Sequence, residues 1–228
     1  MQQLRRLAAL STALWMLATA EGNAQSLRKI YVGGLFGVST LSTDARTITT
    51  ETSALASLYK PENGPALNLF VGAHLWRFFT VQGNYVWDRN DLRLFSSASV
   101  PAGRSAFYEQ PRESSQHAFV ADALVYFRPR GSGVRPYLGT GLAVIRFRSS
   151  AAGPAIVKDF APPADDIEST DVALRSHVGI DFALGRGWSF RYSFSETIGG
   201  NPISPHLMPP GERGLANFQN LFGMVRSF

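Results

Sequence analysis

Apolar and polar residues alternate through eight stretches, near residues 29–39, 66–76, 78–88, 117–128, 134–147, 172–184, 187–196 and 216–228. A period of two sends successive side chains to opposite faces, the mark of a β-strand. The connections alternate as well. Those after the first, third, fifth and seventh stretches are long and rich in Ser, Pro, Gly and Ala. Those after the second, fourth and sixth are tight: Trp76-Arg77-Phe78, Pro129 to Gly133, and Gly185-Arg186-Gly187. An even set of antiparallel strands with long loops at one end and short turns at the other is laid out like a transmembrane β-barrel.

The rows of side chains sharpen this expectation. Phe79, Val81, Gly83, Tyr85 and Trp87 share one face of the third stretch, against Thr80, Gln82 and Asn84. The seventh sets Trp188, Phe190, Tyr192 and Phe194 against Ser189, Arg191, Ser193 and Ser195. The fourth puts Phe119, Ala121, Ala123, Val125 and Phe127 outward, with Asp122, Tyr126 and Arg128 inward. The sixth puts Val172, Leu174, Val178, Ile180 and Phe182 outward, with Arg175, His177 and Asp181 inward. In the fifth, Tyr137, Gly139, Gly141, Ala143, Ile145 and Phe147 share a row opposite Leu138, Thr140, Leu142, Val144 and Arg146. The last stretch is less regular. Asn220 and Arg226 fall in its apolar row, which suggests a bulge near Gly223 and a snorkelling role for Arg226 at a membrane boundary.

A soluble sandwich or lipocalin-like barrel alternates too, so periodicity alone does not say which face meets lipid. Three features favour lipid outside: aromatics cap the apolar rows, the polar rows carry opposite charges able to pair in a narrow lumen, and the connections alternate in length. The aromatic girdle is expected from Phe79, Tyr85, Trp87, Phe119, Phe127, Trp188 and Tyr192.

Composition fits. No stretch in the body of the 228-residue chain reaches the ~20 apolar residues of a helical span. Mean hydropathy is -0.04, a value a barrel shares with soluble proteins because every second residue faces away from lipid. The chain has no Cys, which excludes disulfides, thiolate catalysis, Cys-ligated zinc and a lipid-modified cysteine anchor. The net charge of +5 is spread over many segments, so no basic face points to nucleic acid. Arg5 and Arg6, the apolar run Leu7 to Ala20, and the small-residue exits Ala18-Thr19-Ala20 and Gly22-Asn23-Ala24 describe a cleavable signal peptide over residues 1–24, ahead of a barrel domain over 25–228.

Three stretches carry a family likeness: Arg135 to Phe147 (RPYLGTGLAVIRF), the hairpin His177 to Phe194 (HVGIDFALGRGWSFRYSF), and the terminal Phe228. On these the chain resembles the small eight-stranded outer-membrane barrels of Gram-negative bacteria, the OmpA/OmpX-like group. The likeness covers about residues 29–228. It implies an all-β, eight-stranded, antiparallel up-and-down barrel, monomeric, placed among outer-membrane lipid and lipopolysaccharide. It also implies that Phe228 is the aromatic presented to the outer-membrane assembly machinery.

Little in the sequence carries chemistry. The four histidines, His74, His117, His177 and His206, form no HExxH pattern. His177 and Asp181 share a face, but i and i+4 on a strand lie about 13 Å apart, too far for a base and its orienting carboxylate. A plug of paired charges in the lumen, from Asp122, Arg128, Arg146, Arg175, His177, Asp181 and Arg191, is the expected arrangement, since eight-stranded barrels are just wide enough for side chains to fill. No Ser stands two residues after a His, as in lipid A deacylases of this class, and there is no GxSxG elbow. No catalytic, metal or cofactor site is expected. The alternatives are a narrow porin-like channel, a soluble lipocalin-like ligand binder and a lipid-modifying barrel enzyme. The long connections 40–65, 89–116, 148–171 and 197–215 are the expected seat of surface interaction, as loops on a rigid scaffold are. Asp165, Asp166 and Glu168 are acidic, but no EF-hand pattern surrounds them.

Overall fold

The computed structural model describes residues 30–51, 53–100, 104–163 and 166–228; the expected leader over 1–24 and the side chain of Asp165 lie outside them. Eleven strands are present among these residues: β1 (Ile30–Leu41), β2 (Asp44–Thr49), β3 (Ala54–Pro61), β4 (Gly64–His74), β5 (Phe79–Val100), β6 (Arg104–Tyr126), β7 (Val134–Ala151), β8 (Ile156–Lys158), β9 (Ile167–Gly185), β10 (Trp188–Gly200) and β11 (Gly214–Ser227). Eight of them, β1, β4, β5, β6, β7, β9, β10 and β11, pair antiparallel around a ring. The ring closes where β1 meets β11, from Tyr31 opposite Ser227 to Leu41 opposite Asn217. Closure removes the free edges that an open sheet leaves unpaired. Each of the eight alternating stretches is one wall strand.

The short turns need particular backbones. Between β9 and β10, Gly185, Arg186 and Gly187 all have positive φ, at 96°, 51° and 80°. Hairpin turns that match the right-handed strand twist require such angles, and glycine adopts them without a Cβ penalty. At the turn after β4, the amides of Leu75 and Trp76 both donate to the Phe79 carbonyl.

The long connections are not loops in the main. β5 and β6 stay paired from Phe79 opposite Val125 to Val100 opposite Arg104. The β2–β3 hairpin adds to the far half of β5, with Tyr59 opposite Leu94. β8 adds to the far half of β6 through Tyr108 and Glu109. Residues 89–100 and 104–116, expected as part of a loop, therefore build a raised sheet above the wall, and much of 40–65 joins it.

The phase of the last strand also differs from expectation. β11 pairs with β1 and β10 without a register break at Gly223. Asn220 faces outward and accepts a hydrogen bond from the Tyr192 hydroxyl at 2.9 Å. A local partner, not a bulge, accommodates the amide in an apolar row. The one register shift in this part of the wall lies between Trp188 and Ser189.

Candidate functional site

The inner rows converge on a filled lumen. At its centre Arg191 of β10 is 1% exposed. Its Nε donates to Asp181 Oδ1 at 2.6 Å and its Nη2 to Asp181 Oδ2 at 2.8 Å. A planar guanidinium meets both oxygens of one carboxylate this way, the strongest form of the ion pair. The register makes it possible, because Arg191 lies directly opposite Asp181 across the β9–β10 ladder. The remaining donors reach the Tyr126 hydroxyl at 2.7 Å and Gln82 Oε1 at 3.0 Å. Tyr31 also donates to Gln82, at 2.8 Å. The rings of Phe70 and Tyr137 stand 5.0 and 4.9 Å from the Arg191 guanidinium carbon.

A second cluster sits on Asp122. Its Oδ2 accepts from Asn84 Nδ2 at 2.8 Å and lies 3.6 Å from Arg175 Nη1 and 3.5 Å from His177 Nε2. His177 therefore approaches Asp122 across the lumen without a hydrogen bond, and Asp181 belongs to Arg191. Among the described residues, no three His, Cys, Asp or Glu side chains gather in a way that would hold a metal.

Of the seven residues expected in the lumen, Asp122, Arg175, His177, Asp181 and Arg191 are buried there. Arg128 and Arg146 are not. β6 ends at Tyr126, so Arg128 stands exposed in the turn. Arg146 lies on the outward row of β7 and faces Glu168 at 3.7 Å, with a side chain 67% exposed. The inner row holds further polar residues that sequence reasoning left out. Asp88 Oδ2 accepts from Asn217 at 3.0 Å and from Gln219 at 2.9 Å. The signal was present: Gln82, Asn84 and Asp88 all share the parity of one strand face.

The outward rows carry the apolar band. Phe119 is 68% exposed and Leu142 63%. Phe79, Tyr85, Trp87, Phe127, Trp188 and Tyr192 also point away from the lumen. Tyr85 donates or accepts at His117 Nδ1, 2.8 Å away. Arg226 lies over the rings of Trp188 and Phe228 at 5.3 and 5.8 Å. The Phe228 amide donates to the Ile30 carbonyl at 3.0 Å, which fixes the chain end to the start of β1.

Above the wall the chemistry inverts. Along β5 the outward row changes from Tyr85 and Trp87 to Arg89, Asp91 and Arg93, while the inward row changes from Gln82 and Asn84 to Leu92 and Leu94. The outward charges pair across the hairpin, Arg89 with Glu113 at 2.6 Å and Arg93 with Glu109 at 3.2 Å. This is how a sheet in water alternates, and it marks where the apolar belt ends. The buried side chains Leu41, Tyr59, Leu92, Leu94, Tyr108 and Phe147 pack there with Ile203 and Leu207 of the last connection and Leu215 of β11. That connection, with a 3₁₀ turn at Ser204–His206, folds over the mouth. Asn201 anchors it: its Nδ2 donates to the Tyr59 hydroxyl at 3.1 Å, and its Oδ1 accepts from the amides of Ile203 and Ser204. Ser57 donates to the Pro209 carbonyl at 2.5 Å. Burial pushes the Tyr59 and Tyr108 phenols up from their ordinary value.

Solved structures of similar architecture share little sequence. Neisserial surface protein A is 13% identical, with 87% of this chain and 97% of that one covered, at a TM-score of 0.45. The N-terminal β-barrel domain of Pseudomonas aeruginosa OprF is 12% identical, covering 86% and 99%, at 0.41. Ail, the attachment invasion locus protein of Yersinia pestis, solved with the heparin analogue sucrose octasulfate, is 10% identical, covering 88% and 99%, at 0.43. No curated protein matches the chain. The profile of one family, described as the outer membrane protein β-barrel domain, matches residues 7–211. The chain belongs to that family, and its closed wall with an apolar outer band is that of an integral outer-membrane protein.

Proposed function

We propose that the chain is a non-enzymatic, closed barrel that serves the envelope through its raised outer sheet, as a structural element and a surface for interaction. One observation carries the reading: the last connection covers the long-loop mouth with Ile203 and Leu207, in a single buried apolar cluster with Leu215 of β11. Below it lie Arg191, Arg175 and their carboxylates, so an ion entering from outside meets first an apolar cap and then paired fixed charges. The paired β5–β6 hairpin, flanked by β2–β3 and β8, is a stiff platform, unlike a set of mobile loops. Charged side chains cover its outward face, which suits polar partners.

The test is conductance of the refolded protein in planar bilayers. A silent bilayer is expected, with steps arising when Ile203 and Leu207 are both replaced by Asp. Steady conductance of the unaltered protein would replace this reading with a pore.

A further inference from the structure

The short-turn end of the barrel carries surface charge of one sign. Arg77 stands in the turn between β4 and β5, Arg128 in the turn between β6 and β7, and Arg186 in the turn between β9 and β10. All three side chains are exposed and, among the described residues, make no ion pair. No Asp or Glu occurs in residues 30–43, 74–87, 123–136, 182–195 or 221–228, the stretches that build this end. Asp181, inside the lumen, is buried and gives both oxygens to Arg191. Arg130, in the same turn as Arg128, is already engaged within the protein. The long-loop end is different: there Arg89 pairs with Glu113, Arg93 with Glu109, and Arg148 with Asp166 and Glu168.

Backbone hydrogen bonds set these turns side by side around the rim. The Tyr126 amide donates to the Phe78 carbonyl at 2.7 Å, the Ala183 amide to the Gly133 carbonyl at 2.8 Å, and the Ser227 amide to the Gly187 carbonyl at 2.8 Å. With one exposed arginine in every short turn, the charge rings the barrel and does not gather on one side. A lipid leaflet meets a barrel around its whole circumference, whereas a soluble partner docks on one side or below. The neighbours of the arginines agree with a leaflet: Trp76, Phe78, Phe127 and Leu184 are exposed beside them. Apolar and aromatic groups of this kind sit at the membrane boundary, with adjoining cationic heads at headgroup level. A guanidinium grips a phosphate through two parallel N–H groups. In a zwitterionic lipid the headgroup's own cation repels the arginine; in an anionic lipid nothing opposes it. Short turns of outer-membrane barrels face the periplasm. We propose that this rim, through Arg77, Arg128 and Arg186, binds the headgroups of anionic phospholipids in the periplasmic leaflet and prefers them to zwitterionic ones.

The experiment follows spin-labelled lipids around the refolded full chain in phosphatidylcholine vesicles. Electron paramagnetic resonance separates lipid held at the protein from lipid in the bulk bilayer. One arm uses labelled phosphatidylglycerol and the other labelled phosphatidylcholine. Each arginine near an anionic surface strengthens attraction about fivefold, so, averaged over every lipid position on the wall, phosphatidylglycerol should associate about twofold more tightly or better. At about 1 M salt, where charges act over only ~3 Å, the preference should vanish. Arg77→Gln, Arg128→Gln and Arg186→Gln should each lose part of it, and the triple variant nearly all. Arg89→Gln/Glu113→Gln, a neutralised pair at the far end, should keep it in full. The proposal is overturned if the two lipids associate equally, if the preference survives high salt, or if the far-end variant loses as much as the triple variant. Equal association together with capture of soluble polyglutamate by the same arginines would assign the rim to an acidic partner in the aqueous space instead. Where the triple variant fails to refold, the single variants and the salt dependence of the unaltered protein decide.

Discussion

Arg191 and Asp181 face each other across the β9–β10 ladder and join through two hydrogen bonds, at 2.6 and 2.8 Å, in a lumen where both are almost wholly buried. Removing one partner strands the other's charge away from water. Arg191→Met should therefore destabilise the barrel by about 3–5 kcal/mol, whereas the double variant Arg191→Met/Asp181→Leu should recover most of that loss. Urea unfolding in micelles measures both. If the double variant is as unstable as the single, the pair is not the reason for the loss.

Gly141 of β7 faces the lumen where β6 comes close. A Cβ there would meet the Ala121 carbonyl oxygen and the Asp122 carboxylate. Backbone cannot swing aside as a side-chain tip does, so Gly141→Val forces β6 and β7 apart and displaces the carboxylate that Arg175 and His177 approach. Refolding yield, read from heat-dependent gel mobility, should fall severalfold. Gly83 has no atom within 4 Å of such a Cβ and faces outward. Gly83→Ala should refold like the unaltered chain.

The wall strands were legible because their two faces meet different media: alternation is strongest where lipid lies on one side and a polar lumen on the other. The same property hid the raised sheet. Beyond Trp87 the outward row becomes Arg89, Asp91 and Arg93, and the inward row becomes Leu92 and Leu94. A reading tuned to apolar residues outside ends the strand there and takes charge for loop. The charge of Arg146 predicts a place in the lumen, although it shares a row with Leu138, Leu142 and Val144, which face out. Parity was the better guide. The approach of His177 to Asp122 depends on which strands face each other across the lumen, and the pairing of Asp181 with Arg191 on the β9–β10 register, neither of which a single-strand pattern contains.

Leu142 lies midway along the outward row of β7, 63% exposed, with Leu138 on one side and Arg146 on the other. A charge at mid-height of a lipid-facing wall costs about 2–4 kcal/mol and little near the rim. Leu142→Arg should cost that much in lipid vesicles, and Val144→Arg, nearer Arg146, should cost less. Unfolding by guanidinium in vesicles gives the comparison. Equal and negligible losses would mean that this face does not contact the bilayer interior.

Tyr59 joins the raised sheet to the cap through Asn201 at 3.1 Å, and Tyr108, which accepts from Ser96 of the neighbouring strand at 3.1 Å, packs in the same buried cluster as Ile203 and Leu207 of the cap. Burial raises both phenol pKa values above the ordinary 10.0. The sign follows from which state ionises first. In the opened cap both phenols ionise near pH 10, while in the packed cap they stay neutral to higher pH. Packing is therefore unaffected below about pH 10 and is lost progressively as pH rises from there through the folded values. Trypsin cleavage after Arg213, in the exposed end of the cap connection, should accelerate over that window. Replacing both residues by Phe removes the ionisation, and the acceleration should vanish although the resting cleavage rate rises. A pH profile unchanged by that double substitution would assign the loosening to other groups.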